Sequence, residues 1–397
     1  MKYDFDELVE RRGTGCVKWD AEAPRQTGGR LQPGGIIPLW VADMDFKAAP
    51  AILEAVRKRA EHGVFGYTVV EDDYYVAVIN WFRRRHQWII RREEILYTTG
   101  VVPAMSVAIK ALTMPGEKVL ILSPDYNCFF SSVRNNGCEV LETALKRVGD
   151  TFEVDWDDFT AKCADEKTTV FLLCNPHNPC GRVWTKAELA QMNDICMKYG
   201  VKVVSDEIHC ELIMPGYQFQ PFAAVSEVCR QNSVILNSPS KSFNIAGLQV
   251  ANIICSQPEW RRRLDRAINI NEVCDVNPFA PIALKAAYND SEEWIDELNQ
   301  YLWGNYTFLC DFIAKNIPQW KVCRLEGTYL PWVDVSAMGV SAEQLCDRLL
   351  EEASVWINPG TMYGAETGKG YVRFNIACPR SRLEEALNRI LRVISAG

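Results

Sequence analysis

The stretch VFLLCNPHNPCGRVW, residues 170–184, joins a short apolar run to a polar turn, and this combination decides the fold class. Its first five residues are apolar on both faces of an extended chain, which is typical of a strand inside a parallel sheet. Similar runs occur at residues 119–122, 201–205, 234–238 and 252–255. Residues 186–199 have a helical pattern, with Thr185 as a predicted N-cap and Gly200 as the stop. Alternating strands and helices predict a doubly wound α/β fold with a mostly parallel sheet.

The last third of the chain has a different pattern. A long amphipathic helix is predicted over residues 292–316, and a shorter helix over residues 341–352. Strands are predicted around the shorter helix at residues 321–325, 330–335 and 371–376. We therefore predict a large α/β domain over residues 46–284 and a smaller α+β domain built from residues 1–45 and 285–397.

Composition excludes several functional classes. The 397 residues contain 43 Lys plus Arg and 51 Asp plus Glu, a net charge of −8 that disfavours binding to nucleic acid. No apolar run approaches the roughly 18 residues of a membrane span, and the polar, acidic N-terminus is unlike a secretory signal. None of the 15 cysteines forms a C-x-x-C pair, which disfavours zinc-ribbon and redox motifs. We expect a reduced, cytoplasmic protein whose cysteines are mostly small buried apolar groups.

Polar residues that could bind a ligand or take part in catalysis follow three of the predicted strands. Asn178 lies in the turn after residues 170–174, Asp206 and His209 follow the next strand, and Lys241 follows the one after that. Because ligands of open α/β sheets bind outside the carboxyl ends of the strands, we expect these side chains to meet in one crevice.

This set of residues matches the needs of pyridoxal 5'-phosphate, which has a basic ring nitrogen, a phenolic oxygen, an aldehyde and a phosphate. A buried Asp206 carboxylate would keep the ring nitrogen protonated, and Lys241 would form the Schiff base. Asn178 and His209 are expected to donate hydrogen bonds to the ring oxygen. No set of residues with metal-ligand spacing is apparent in the sequence, so we predict no metal site.

The remaining parts of the cofactor have candidate partners as well. The phosphate needs backbone amides at a helix start and nearby hydroxyls, and the predicted donors are Gly100, Val101, Val102, Ser238 and Ser240.

An aromatic ring should stack on the cofactor, and a forked cation should bind the substrate carboxylate. Tyr126, just after an earlier strand, is the predicted stacking residue, and Arg373 is the predicted cation. Tyr126 and Asn178 are also expected to contact the substrate.

Other enzyme classes fit these residues less well. The sequence from Ser238 to Lys241 satisfies S-x-x-K, the signature of serine β-lactamases, but the accompanying S-D-N and K-T-G motifs are absent. Neither a G-x-S-x-G elbow nor a G-x-G-x-x-G fingerprint occurs, which disfavours an esterase and a nicotinamide enzyme.

Taken together, these motifs resemble those of the class I/II aminotransferase-like, fold-type I pyridoxal phosphate enzymes. Within them the chain is similar to the carbon–sulfur lyases of the MalY/PatB type, the cystathionine β-lyase group. The resemblance extends over nearly the whole chain, through the segments LWVADMDF (39–46), GVFGYT (63–68), TGVVPA (99–104), CNPHNPCGRVW (174–184), SDEIHCEL (205–212), SPSKSFNIAGL (238–248) and VRFNIACPR (372–380).

The resemblance implies the same roles that we predicted above from the residue types, for Lys241, Asp206, Asn178, Tyr126 and Arg373. It also implies a homodimer, in which Tyr67 of one subunit reaches into the active site of the other.

Three positions depart from the wider superfamily. Gln249 stands where many members have an arginine that binds phosphate, and His209 stands where aminotransferases often have a tyrosine. At both positions the residue is similar to that of the lyase group. Cys128 replaces an expected proline beside Tyr126, so the wall over the cofactor differs locally.

The resemblance implies an α,β-elimination that converts cystathionine, cysteine or another S-substituted amino acid into a thiol, pyruvate and ammonia. Lys241 would take the α proton, and Lys241 or Tyr67 would protonate the leaving group. The same residues permit transamination, so an aminotransferase remains the alternative, and a non-catalytic regulatory protein that retains the cofactor is a third candidate.

Overall fold

The computed structural model describes residues 1–21, 32, 34–270 and 275–395. Its strands are β1 (Ile37–Pro38), β2 (Ile95–Thr98), β3 (Lys118–Ser123), β4 (Glu139–Ala144), β5 (Lys146–Val148), β6 (Thr151–Glu153), β7 (Thr168–Cys174), β8 (Lys202–Asp206), β9 (Ser233–Asn237), β10 (Ala251–Cys255), β11 (Lys321–Val322), β12 (Trp332–Asp334), β13 (Val355–Trp356), β14 (Asn358–Pro359) and β15 (Tyr371–Arg373).

The α-helices connect and cover these strands. They are α1 (Val17–Asp20), α2 (Pro50–His62), α3 (Asp72–His86), α4 (Val101–Leu112), α5 (Asn127–Asn135), α6 (Trp156–Cys163), α7 (Lys186–Lys198), α8 (Glu227–Gln231), α9 (Pro258–Asn269), α10 (Ala280–Asp290), α11 (Glu292–Asn316), α12 (Ala342–Arg348) and α13 (Arg380–Ser395). None of the helices in the described residues combines the length and the apolar character that a membrane span needs.

Seven strands form the central sheet in the order β2-β10-β9-β8-β7-β3-β4. The five strands from β9 to β4 are mutually parallel, which confirms the predicted doubly wound α/β fold. β10 is different, because it pairs antiparallel with both β2 and β9. The prediction that residues 252–255 form a parallel strand was therefore wrong. No α-helix separates β9 from β10, so the chain turns back beside β9 instead of crossing over the sheet.

Both faces of the central sheet are buried, as its sequence pattern predicts. On β3, Leu120 and Leu122 belong to one apolar cluster, whereas Val119 and Ile121 belong to a second cluster on the opposite face. Helices α4 and α9 cover the second face and pack against each other. Strands in this position need apolar residues at successive positions, which explains the continuous runs in the sequence.

A second sheet has four strands in the antiparallel order β11-β12-β15-β14. It follows α11, whose bounds are the same as those predicted for the long amphipathic helix. β1 pairs in parallel with β13, which ties the N-terminal segment to the C-terminal part of the chain. The division into domains of residues 46–284 and of residues 1–45 with 285–397 stays a prediction.

Cysteine behaves in the structure as the sequence predicts. All 14 cysteines in the described part of the chain are free thiols, and 11 of them are buried.

Candidate active site

A cavity of about 280 Å³ lies at the carboxyl ends of β7, β8 and β9. It is lined by nine residues that the sequence analysis singled out for the site: Gly100, Val101, Val102, Tyr126, Asn178, Asp206, His209, Ser240 and Lys241. Parallel strands end at the same edge of a sheet, so side chains that are distant in the sequence come together there.

Asp206 is the last residue of β8, and its carboxylate is buried in this cavity. Its Oδ1 accepts a hydrogen bond of 3.0 Å from the backbone amide of Ile208. Burial raises the pKa of Asp206 to about 7, although this amide and the charge of Lys241 act in the opposite direction. No cation of the described residues forms an ion pair with this carboxylate, which leaves it available to a cationic group of a ligand.

Lys241 follows β9 in a turn, and its ammonium group also enters the cavity. Nζ donates a hydrogen bond of 2.6 Å to the backbone carbonyl of Ala42. Burial lowers the pKa of Lys241, and the charge of Arg373 lowers it further, although Asp43 and Asp206 oppose the change. A lower pKa increases the fraction of neutral amine, the form that attacks a carbonyl carbon.

His209 faces the same cavity from the turn that follows Asp206. Its Nδ1 is buried and has no hydrogen-bond partner among the described residues. Burial lowers the pKa of His209 to about 3, and the charges of Lys241 and Arg373 contribute in the same direction. The imidazole is therefore neutral at physiological pH, and one buried ring nitrogen remains free for a polar ligand atom.

The N-terminus of α4 forms one end of the cavity. Gly100 is the N-cap, and Val101 and Val102 begin the helix, where backbone amides lack partners within the helix. Ser240 lines this cavity, whereas Ser238 does not. The Ser238 hydroxyl donates to the Val250 carbonyl and accepts from the Ser240 amide, so it shapes the turn before Lys241.

Arg373 lies on β15 of the second sheet and contacts Asn178, which lines the cavity. Nη1 donates to Oδ1 of Asn178 at 3.1 Å, and Nη2 donates to the Trp40 carbonyl at 2.9 Å. The guanidinium carbon is 4.5 Å from the centroid of the Tyr363 ring. The residue is 3% exposed, its Nε has no hydrogen-bond partner, and no carboxylate in the described part of the chain pairs with it. A ligand carboxylate would supply the missing negative charge.

Tyr126 is half-buried in the cavity wall, and this burial raises its pKa well above the usual range for tyrosine. It is the N-cap residue of α5, next to Cys128. Tyr67, in contrast, is 97% exposed and does not line the cavity. The role predicted for Tyr67 needs a second copy of the chain and stays a prediction.

The structure adds groups to the site that sequence patterns did not identify as parts of it. The carbonyl of Ala42 accepts from Lys241 and also from the hydroxyl of Tyr329, at 2.9 Å. Thr99, Cys174 and Ile208 complete much of the wall, together with Gln249, whose position the sequence comparison had already connected with the phosphate. A backbone carbonyl cannot be recognised from the residue type, because every residue has one. The segment LWVADMDF, residues 39–46, was nevertheless one of the segments that carry the family resemblance.

These observations test whether pyridoxal phosphate fits the cavity. A buried carboxylate, a lysine with a lowered pKa and a helix N-terminus line one space, together with Tyr126. The carboxylate suits a protonated ring nitrogen, the lysine an aldehyde, and the helix start a phosphate. The residues present therefore fit the cofactor.

Comparison with known proteins places the chain in a family. The family model described as aminotransferase class I and II matches residues 35–390. Cystathionine beta-lyase PatB of Bacillus subtilis is 38% identical over 392 residues, which cover 99% of this chain and 100% of PatB.

Solved structures agree with this placement. Cystalysin from Treponema denticola, which contains pyridoxal 5'-phosphate, matches with a TM-score of 0.94 and 32% identity over 100% of both chains. The pyridoxal phosphate-bound C-S lyase from Staphylococcus hominis matches with a TM-score of 0.89 and 30% identity, over 99% of both chains. This protein belongs to the class I and II aminotransferase family.

Proposed function

We propose that this protein is a pyridoxal phosphate-dependent carbon–sulfur β-lyase, which cleaves cystathionine, cysteine or a related S-substituted amino acid. The products are a thiol, pyruvate and ammonia. The observation that carries the proposal is that Lys241 and Asp206 line one cavity, that Arg373 contacts Asn178 in its wall, and that none of the three cationic or acidic groups has an ion-pair partner in the described residues. Relatives that cover the full length of the chain, such as PatB, are named cystathionine β-lyases.

Each part of the cofactor has a residue that would hold it. Asp206 would hold the ring nitrogen, Lys241 the aldehyde carbon, and Asn178 with His209 the ring oxygen. The amides of Gly100 to Val102 and the Ser240 hydroxyl would hold the phosphate, and Tyr126 would cover the ring. When bound, pyridoxal phosphate supplies an electron sink that makes the α proton of an amino acid acidic.

The chain's own groups place the substrate and move its protons. Arg373 binds the substrate carboxylate through its fork of N–H donors, and Asn178 orients that fork through Oδ1. The Lys241 amine, with its lowered pKa, takes the proton from the substrate Cα. The neutral His209 adds no positive charge near that amine.

Protonation of the sulfur leaving group requires a second acid. Tyr67 of a second subunit would donate its phenolic proton to the departing sulfur, in a homodimer that shares its active sites. Val64, Phe65 and Val69 are exposed beside Tyr67, which supports contact of this segment with another chain. We assign the enzyme to the cytoplasm, with a small sulfur amino acid as substrate and a second copy of the chain as its partner.

An absorbance spectrum followed by a turnover assay tests the proposed reaction. The purified holoenzyme should have a visible absorbance band that borohydride removes, and added cystathionine should release pyruvate without an amino acceptor. A coloured protein that forms a keto acid only when a 2-oxo acid acceptor is present would be an aminotransferase instead. A protein that binds the cofactor but turns over neither reaction would be a regulatory protein.

Mixing two inactive variants tests the shared active site. Tyr67→Phe and Lys241→Ala would each inactivate their own homodimers, but a mixed dimer has one site that contains both native residues. Unfolding and refolding the two together should restore roughly a quarter of the native sites. Activity that stays at the level of the separate variants would contradict a shared site.

A further inference from the structure

A second cavity, of about 460 Å³, lies next to the turn that carries His209 but has different walls. Its lining includes His86 at the end of α3 and the consecutive residues Cys210 and Glu211. One ligand atom from each of these three residues lies within 4.8 Å of the other two. We call these three residues the His86 cluster. His86 and Glu211 are 125 positions apart in the chain, so spacing in the sequence could not bring them together.

We propose that the His86 cluster binds a thiophilic divalent cation of the Zn²⁺ and Cd²⁺ class. The ligands would be Nε2 of His86, Sγ of Cys210 and Oε1 of Glu211. Sulfur, imidazole nitrogen and carboxylate oxygen are the three donor types that Zn²⁺ takes in proteins.

The present contacts show that these donors already point at one another. His86 Nε2 is 2.6 Å from Glu211 Oε1, and Cys210 Sγ is 3.9 Å from the same oxygen. An ion would replace the proton between His86 and Glu211, which would leave to solvent so that His86 binds as a neutral ring protonated at Nδ1, and the two atoms would move slightly apart. Trp81 donates to Oε1 of Glu211 at 2.7 Å, a hydrogen bond that orients the carboxylate from behind.

The surrounding charges tolerate a cation. Glu211, Glu292 and Asp296 contribute three negative charges, against two positive charges from Arg84 and Arg85. Arg85 pairs with Oε2 of Glu211, and Trp81 donates to Oε1, so an ion would bind Oε1 at the position that His86 now occupies.

Binding would release the thiol proton of Cys210 to solvent, because thiolate is the form that coordinates metals. The cavity supplies both an entry path and room for water at a fourth coordination position.

Titration of the holoenzyme with Cd²⁺ tests the proposal, because a cadmium–thiolate bond absorbs in the ultraviolet. We expect the wild type to bind one ion more than Cys210→Ser and one more than His86→Gln. Cys310→Ser, which changes a thiol on α11, is the matched control and should bind as the wild type does. Equal stoichiometry in the wild type and both cluster variants, or an equal loss in the control, would overturn the proposal.

A measurement on the unmodified chain covers the case in which the variants do not fold. Bound Cd²⁺ should slow alkylation of Cys210 at least about tenfold, as followed by peptide mass spectrometry, because a coordinated thiolate is withdrawn from reaction. Cys310 should react at the same rate with and without the ion. Alkylation of Cys210 that does not change on addition of Cd²⁺ would show that the cluster is only a structural ion network.

Discussion

Two buried groups of charges differ in how the protein compensates them. Around Asp45, the carboxylate pairs with Lys18 at 3.2 Å, Arg11 at 2.8 Å and Arg382 at 3.5 Å. Trp19 donates a further hydrogen bond to this carboxylate. At the active-site cavity, Asp206 and Arg373 are also buried and Lys241 is half-buried, but none of them has an ion-pair partner in the described residues.

The pKa of the two aspartates records this difference. Burial by itself raises the pKa of an aspartate, but around Asp45 the charge of Lys18, with Trp19 and Arg11, outweighs it and the pKa is lowered. For Asp206 burial prevails, and the pKa rises to about 7. A buried charge is costly unless something pairs with it. We therefore interpret Asp45 as structural and propose that Asp206 pairs with a cationic group of the ligand.

Of the changes that test this comparison, replacement of Lys241 should have the largest effect on turnover. Lys241→Ala removes both the amine that binds the cofactor and the proposed base, so turnover should fall by about 10⁴-fold. The visible absorbance of the lysine-bound cofactor should also disappear. Lys202→Ala, at the opposite end of β8, is the matched control and should keep both properties. Near-normal pyruvate release by Lys241→Ala would remove the residue from its proposed role.

Asp206→Asn should have the next largest effect. The amide has nearly the same size but cannot hold a positive charge on the ring nitrogen, so turnover should fall by about 10²- to 10³-fold. The variant should still bind the cofactor, because Lys241 and the start of α4 are unchanged. Absorbance and pyruvate release measured on one sample separate the two effects. Unchanged turnover would contradict the pairing of Asp206 with the ring.

Arg373→Lys should mainly weaken substrate binding. Lysine keeps the charge but loses the forked geometry and the hydrogen bond to Asn178. Loss of one charge-assisted hydrogen bond should raise the KM for cystathionine by about 10- to 100-fold, with a smaller change in kcat. The control substrate is cystathionine with its α-carboxylate amidated. Wild type and variant should cleave this amide at equally low rates. A selective loss of kcat instead would place Arg373 in the proton-transfer step.

Much of the fold could be predicted from the sequence because its physical cause is local. Strands buried on both faces need continuous apolar residues, and the predicted strands of the central sheet agree with the structure to within two residues. The direction of β10 could not be predicted in this way, because an apolar run is the same for either direction. Direction depends on the connection, and the turn from β9 to β10 contains no helix that would carry the chain across the sheet.

The site was predictable to the extent that it depends on side chains after strands. Asn178 and Lys241 follow β7 and β9, and Asp206 is the last residue of β8. Because parallel strands end at the same edge of the sheet, the three side chains come together there. The carbonyl of Ala42 could not be predicted, because every residue type has one. The exposed Tyr67 is a different case, because its proposed role depends on a second chain.

Asp45→Asn should damage stability more than chemistry. The change leaves Lys18, whose side chain is 0% exposed, with only the more distant Asp43 carboxylate at 3.7 Å. Breaking a buried ion pair from one side should lower the free energy of unfolding by about 3 kcal/mol, as measured by urea denaturation.

The control for this prediction is the double variant Lys18→Met/Asp45→Asn. It should be more stable than Asp45→Asn alone, because the cation with the most deeply buried side chain is gone and only Arg382 still lacks its carboxylate partner. Turnover per folded molecule should change less than in any of the cavity variants. A single variant as stable as wild type would mean that the network does not stabilise the N-terminal segment.

Changes at Glu207 should have the smallest effect on turnover and give the finest test of the comparison, because Glu207 is buried next to Asp206 but does not line the cavity. Oε1 accepts from the Phe222 amide and the Ser205 hydroxyl, and Oε2 has no partner. Burial raises the pKa of Glu207 to about 8, so the group is protonated in the folded protein at neutral pH. Since its pKa in the unfolded chain is about 4.3, the folded state holds the extra proton between these two values.

The sign of the pH dependence follows from that proton. The folded state binds more protons than the unfolded state, so Glu207 contributes stability below about pH 4 that is lost as pH rises towards 8. The expected slope is about 1.4 kcal/mol per pH unit. Glu207→Gln cannot titrate, so its stability relative to wild type should increase from pH 5 to pH 8 in urea denaturation. A constant difference over this range would show that Glu207 is ionised in the fold and has a compensating partner, as Asp45 has.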